Sequence, residues 1–137
     1  MASSSPQKRL IQEGPGWRLG WDAYAPGYPA LLGGEDWAME LTAEEFEDFR
    51  RLAEELVATL KAMADHLMAE EQLTCELESK HVWLELEGYP QTYSLRFILQ
   101  GGRRGEGRWP VPVADQVMAA IATLPTPTFP PIQDSVA

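Results

Sequence analysis

Four glutamates fall at alternate positions of two neighbouring segments, Glu76 and Glu78 in 73–78 and Glu85 and Glu87 in 82–87. In an extended chain alternate side chains share a face. Carboxylates gathered this way could share a proton, bind a cation or meet a basic partner. Trp83 belongs to the same face, because Val82 and Leu84 take the other one. Arg96 and Ile98 would join from the next segment. Trp83, Glu76, Glu78, Glu85, Glu87 and Arg96 are therefore the candidate binding surface. The solvated side of an antiparallel sheet has the same pattern. No Asp-rich loop or nearby His accompanies the glutamates, so neither a metal nor a cofactor is expected.

The run Gly101-Gly102-Arg103-Arg104-Gly105-Glu106-Gly107-Arg108 is the candidate anion loop. Arg103, Arg104 and Arg108 could clamp a phosphate or a carboxylate with bidentate hydrogen bonds. The loop lacks the Gly-Lys-Ser/Thr ending of a phosphate-binding loop, and its glycine spacing misses the dinucleotide fingerprint. A solvated hairpin loop that balances acidic neighbours is the plainer reading. Trp17, Trp21, Trp37, Trp83 and Trp109 could stack on bases. All but Trp83 alternate with small or polar residues on strand-like segments and read as core. His66 and His81 have no Ser or Cys motif beside them, so nucleophilic catalysis has little support and no enzyme is expected. Cys75 is the sole cysteine, which excludes an intrachain disulfide and a thiolate cluster. Its place between Leu73 and Leu77 reads as a small buried hydrophobe.

Charge narrows the partners. The chain of 137 residues carries a net charge of -10. Residues 43–71 hold nine acidic and three basic side chains, whereas 101–124 hold two and three. Such a field repels a phosphate backbone at long range. Nucleic acid is therefore an unlikely partner, and a basic protein is the better fit. The start, Met1 to Pro6, has no apolar segment of the kind a signal peptide needs. No apolar run reaches the roughly 18 residues of a membrane span. A cytoplasmic protein, monomeric or homodimeric, is expected.

The elements that must position these residues follow a repeat. Gly33-Gly34 leads through Trp37 to a helix opening at Thr42, and Gly101-Gly102 leads through Trp109 to one opening near Pro112. Strand-like segments precede each helix. They are expected at 8–13, 17–21, 30–32 and 37–41, then at 73–78, 82–87, 92–99 and 108–111. Residues 79–81 turn the chain between two strictly alternating segments, which predicts an antiparallel hairpin. Pro110 suggests an edge strand.

Thr42-Ala43-Glu44-Glu45 is a capping box. From it the apolar line Phe46, Phe49, Leu52 or Ala53, Leu56, Leu60, Met63 and Leu67 predicts a helix to about Ala69, roughly 40 Å long. A second helix is expected from Val113 to Leu124, stopped by Pro125. The fold class is thus α+β, two strands-then-helix repeats with antiparallel sheets, one long helix and one shorter. A single domain spans 8–124, with repeats at 8–70 and 71–124. Residues 1–7 and 125–137 read as flexible tails.

Several segments carry a family resemblance. They are Gly16-Trp17-Arg18-Leu19-Gly20-Trp21-Asp22, the run from Gly33 to Thr42, Thr74-Cys75-Glu76 and the run from Tyr93 to Leu99. Over residues 8–124 the chain resembles a cyanobacterial family of uncharacterised proteins, the domain of unknown function numbered 1818. The resemblance implies no activity and no catalytic residues. It implies a fold similar to the single-stranded-DNA-binding proteins of the Whirly and positive-cofactor-four type, and a role in assembly or regulation in a photosynthetic lineage. Fold likeness alone transfers no function. Two functions follow as expectations. The first is a non-enzymatic protein-interaction module. The alternative is a single-stranded nucleic-acid-binding regulator that uses the Gly/Arg loop and the sheet aromatics.

Overall fold

Alternation of large and small side chains resolves into two antiparallel four-stranded sheets, each in chain order. The computed structural model describes residues 9–66 and 71–124. The first sheet holds β1 (Arg9–Gly14), β2 (Trp17–Asp22), β3 (Ala30–Gly33) and β4 (Ala38–Leu41). The second holds β5 (Leu73–Glu78), β6 (Val82–Tyr89), β7 (Thr92–Leu99) and β8 (Gly105–Trp109). Helix α1 (Ala43–Ala62) follows the first sheet and α2 (Val113–Ile121) the second. The expected tails lie outside the described residues, as do Lys8 and Leu67.

The capping box forms as expected. The Thr42 hydroxyl accepts from the Glu45 N–H at 3.1 Å, and the Glu45 carboxylate accepts from the Thr42 N–H at 2.9 Å. The helix is shorter than its apolar period suggests. It stops at Ala62 and gives way to a 3-10 turn, Ala64–His66, which places His66 past the helix and not within it. Twenty residues rise about 30 Å. The eight residues of β6 rise about 26 Å, so α1 has already crossed the sheet beneath it. Past Leu60, which is fully buried, Met63 is only half-covered.

The two repeats interlock. Helix α1, from the first repeat, packs across β5 and β6 of the second, while α2 bridges β7 and β2. Phe46, Phe49, Leu56 and Leu60 thereby share one core with Leu19 and Leu32 from the first sheet and with Leu84, Leu86 and Phe97 from the second. Arg50 on α1 donates to the Leu124 carbonyl at 2.9 Å, tying the end of the second repeat to the first. Leu124 is buried although the helix proper ends at Ile121.

The repeated Gly-Gly…Trp motifs meet each other. Trp37 and Trp109 lie 5.3 Å apart between ring centroids. Trp109 Nε1 donates to the Gly33 carbonyl at 2.8 Å, and Trp37 Nε1 donates to the Arg108 carbonyl at 3.3 Å. Trp109 is fully buried, while Trp17, Trp21 and Trp37 are partly buried against the core.

Strand β8 begins at Gly105 and not at Arg108, and Val111 lies beyond it. The run Gly105-Glu106-Gly107-Arg108-Trp109 alternates with glycine as the small inward partner. A Cβ on Gly107 would sit 2.4 Å from Trp37 Cη2 and 2.7 Å from Phe97 Cε1. Glycine is needed there for close approach, so residues that resemble a flexible loop build a strand.

Candidate binding surfaces

The outer face of the second sheet assembles the six residues expected there. Register sets Glu76 opposite Glu85, Glu85 opposite Arg96, and Arg96 opposite Arg108. The next row runs Glu78, Trp83, Ile98, Glu106. Trp83 is half-buried, and its Nε1 donates to Glu76 Oε1 at 2.5 Å. The Arg96 guanidinium lies 4.9 Å from the Trp83 ring centroid. It also reaches Glu85 at 3.5 Å and Glu106 at 3.6 Å. Both the indole N–H and one ring face are thus engaged within the chain. Glu76, Glu78 and Glu87 are exposed and Glu85 half-exposed, so carboxylates outnumber guanidiniums on this face.

The structure does not bring the three loop arginines together. Arg103 turns toward the first repeat. Its guanidinium donates to Glu45 Oε1 at 2.7 Å and to the Glu40 carbonyl at 2.6 Å, and it sits 4.8 Å from the Tyr28 ring centroid. The Glu45 side chain is only 7% exposed. One carboxylate therefore caps α1 and anchors the loop. Arg108 faces out from β8 in the row with Arg96, and Arg104 is exposed. A hollow of about 570 Å³ opens at the loop, lined by Ile98, Arg103, Arg104 and Glu106 among others. Glu106, one of the lining residues, brings an acidic side chain to the same loop, which opposes an anion.

Cys75 is half-buried, not buried as expected, because β5 is an edge strand that among the described residues pairs with β6 alone. Burial raises its thiol pKa above the ordinary value. Among the described residues no group of three or more His, Cys, Asp and Glu could hold a metal ion. No helix of those residues is long and apolar enough to cross a membrane.

A groove between α1 and α2 is invisible to sequence reasoning. It has a volume of about 510 Å³ and is lined by Val57, Lys61, Pro90, Tyr93, Asp115 and Met118. Burial, helped by the charge of Asp115, pushes the Tyr93 phenol up to about 12. Asp115 Oδ1 also accepts from the Tyr93 backbone N–H at 3.3 Å. The only sequence signal was an inward Tyr on a strand. Asp115, 22 residues later, meets it through packing alone.

These features define an α+β protein of two interlocked strands–helix repeats with an acidic, aromatic-bearing sheet face. The chain belongs to the family described as a domain of unknown function, DUF1818, whose model matches residues 12–124. It is similar to a solved structure described as a protein with unknown function from the DUF155 family, from Prochlorococcus sp. NATL2A. That structure is 34% identical at a TM-score of 0.79, over 84% of this chain and 97% of the other. A comparison with curated proteins finds no match.

Proposed function

We propose that the protein is a non-enzymatic binding module, one domain over residues 8–124, whose outer sheet face meets a basic protein partner in assembly or regulation. The observation that carries this reading is the disposition of the cations. Arg103 is committed to Glu45 and Glu40, and Arg96 to Trp83, Glu85 and Glu106. What is left outward on this face is Glu76, Glu78, Glu87 and half-exposed Glu85 against one exposed cation, Arg108, within a chain of net charge -10. Desolvating those carboxylates is repaid by lysine or arginine and penalised by phosphate.

The second reading, a single-stranded nucleic-acid-binding regulator of the Whirly or positive-cofactor-four kind, draws on the strands–helix repeat and on exposed Arg104 and Arg108. A paired titration near ~0.1 M salt separates the two. Trp fluorescence of the whole chain is followed against lysine-rich peptides and against a mixed-sequence oligonucleotide. The expected result is peptide binding lost in the Glu85→Lys/Glu87→Lys variant, with no oligonucleotide response. Micromolar oligonucleotide binding, lost on replacing Arg104 and Arg108 by alanine, overturns the proposal.

A further inference from the structure

We propose that the free edge of β5 accepts an extended segment of a partner with alternating basic and apolar residues, added as a fifth strand to the second sheet. The inference deepens the protein-binding reading above and rests on it. Four strands end the two sheets: β1, β4, β5 and β8. An exposed edge presents unpaired N–H and C=O groups, and native proteins blunt it with charged side chains (Lys above all), Pro, bulges or inward polar residues. Strands β4 and β8 cover one another. Met39 lies against Gly105 and Trp37 against Gly107. Strand β1 turns the polar Gln12 inward, where its amide donates to the Thr123 hydroxyl at 2.8 Å.

Of these devices strand β5 has only the outward charges of Glu76 and Glu78, which oppose an acidic strand and leave the edge open to a basic one. Its six residues, Leu-Thr-Cys-Glu-Leu-Glu, alternate without interruption and contain no Lys, Pro or Gly. Among the described residues it is paired to β6 alone. Its inward row, Leu73, Cys75 and Leu77, is half-exposed, while Leu84 and Leu86 directly across the ladder are fully buried. Helix α1 lies over both strands. The missing cover is therefore on the side away from β6, where a further strand would lie.

The charge pattern chooses the occupant. An added strand would set its inward side chains beside Leu73, Cys75 and Leu77, and its outward ones beside Thr74, Glu76 and Glu78. Apolar residues suit the first row. Opposite-charge cross-strand pairs suit the second, and like charges oppose one another there. An alternating Lys/Arg–Val/Ile segment satisfies both rows and supplies the backbone ladder, the recognition mode of β-strand addition. A second copy of this chain would bring Glu76 and Glu78 toward their own equivalents and join two molecules of net charge -10. A single-stranded nucleic acid offers no alternating N–H and C=O groups to the ladder.

The test uses the whole chain and the peptide acetyl-(Lys-Val)4-amide, with backbone amide exchange read residue by residue. Saturating peptide should slow exchange across residues 73–78 by about tenfold or more and leave residues 9–14 unchanged. A fully N-methylated analogue keeps every side chain and charge but donates no backbone bond, and should bind at least ~10-fold more weakly. Glu78→Lys should weaken binding as well, with the exchange of 9–14 confirming that the variant is folded. If the peptide binds, is lost in Glu85→Lys/Glu87→Lys and leaves β5 unprotected, the edge proposal is overturned while the sheet-face reading stands. If no basic peptide binds, both are overturned. If β5 is protected without peptide and sedimentation shows a dimer, the occupant is a second copy and the proposal is wrong.

Discussion

Replacing Arg103 tests whether the Gly/Arg loop is an anion site or a strut between the repeats. In Arg103→Ala the Glu45 carboxylate, 7% exposed, keeps only its bond from the Thr42 N–H. A hydrogen bond between charged groups contributes about 1.5–3 kcal/mol. The guanidinium is itself 33% exposed, and solvent screening pulls the figure to the lower end. The lost contact with Tyr28 adds about 0.5 kcal/mol at an exposed site. The expected loss is about 2 kcal/mol, a fall in Tm of roughly 6–10 °C for a domain of this size.

The assay is a double-mutant cycle by urea unfolding with Glu45→Gln. The amide retains the acceptor that the capping box needs and removes the charge. Arg103→Ala should cost markedly less in the Glu45→Gln background, with a coupling of about 1 kcal/mol or more. A coupling below ~0.3 kcal/mol, or an Arg103→Ala variant as stable as the parent, would refute the strut and return Arg103 to the pool of free cations.

Leu56→Ala should cost about 2–5 kcal/mol in urea unfolding, since the side chain is buried between α1 and the second sheet. Gly107→Ala should destabilise by about 1–3 kcal/mol through the clash with Trp37 and Phe97, and more than Gly105→Ala, where the flexible end of Met39 can yield. Trp109→Phe should cost about 1–3 kcal/mol, because the buried Gly33 carbonyl loses its donor. Ultraviolet titration should show one phenol ionising near 12 that disappears in Tyr93→Phe. The folded state holds that proton more tightly than the unfolded chain, whose phenol titrates at 10.0. Its stabilisation is complete below that value and lost as pH rises toward 12, so the unfolding free energy read by chemical denaturation should fall across that window, and less steeply in Tyr93→Phe.

Local pattern determined much of this protein. Period-two alternation set the strands and put Glu76, Glu78, Trp83, Glu85, Glu87 and Arg96 on one face, because neighbouring strands in a hairpin are bound to a shared pleat. The start of α1 was equally legible, since both bonds of the capping box lie within three residues.

Where pattern misled, distant packing was the cause. Met63 continues the helical period, but α1 has crossed its sheet by Ala62. Glycines that read as flexibility at 105 and 107 serve close approach to Met39 and Trp37, and only the tertiary fold brings those side chains there. The arginines of one loop look convergent in the sequence. Glu45, 58 residues before Arg103, draws that guanidinium out of the cluster. The openness of β5 is likewise a tertiary property. Its residues are those of an ordinary half-buried strand, and among the described residues only the order β5-β6-β7-β8 leaves one side of its inward row uncovered. Hydrogen bonds between neighbours in sequence cost little loop entropy and leave local signatures, whereas contacts across the repeats are chosen by shape and charge once the sheets have formed.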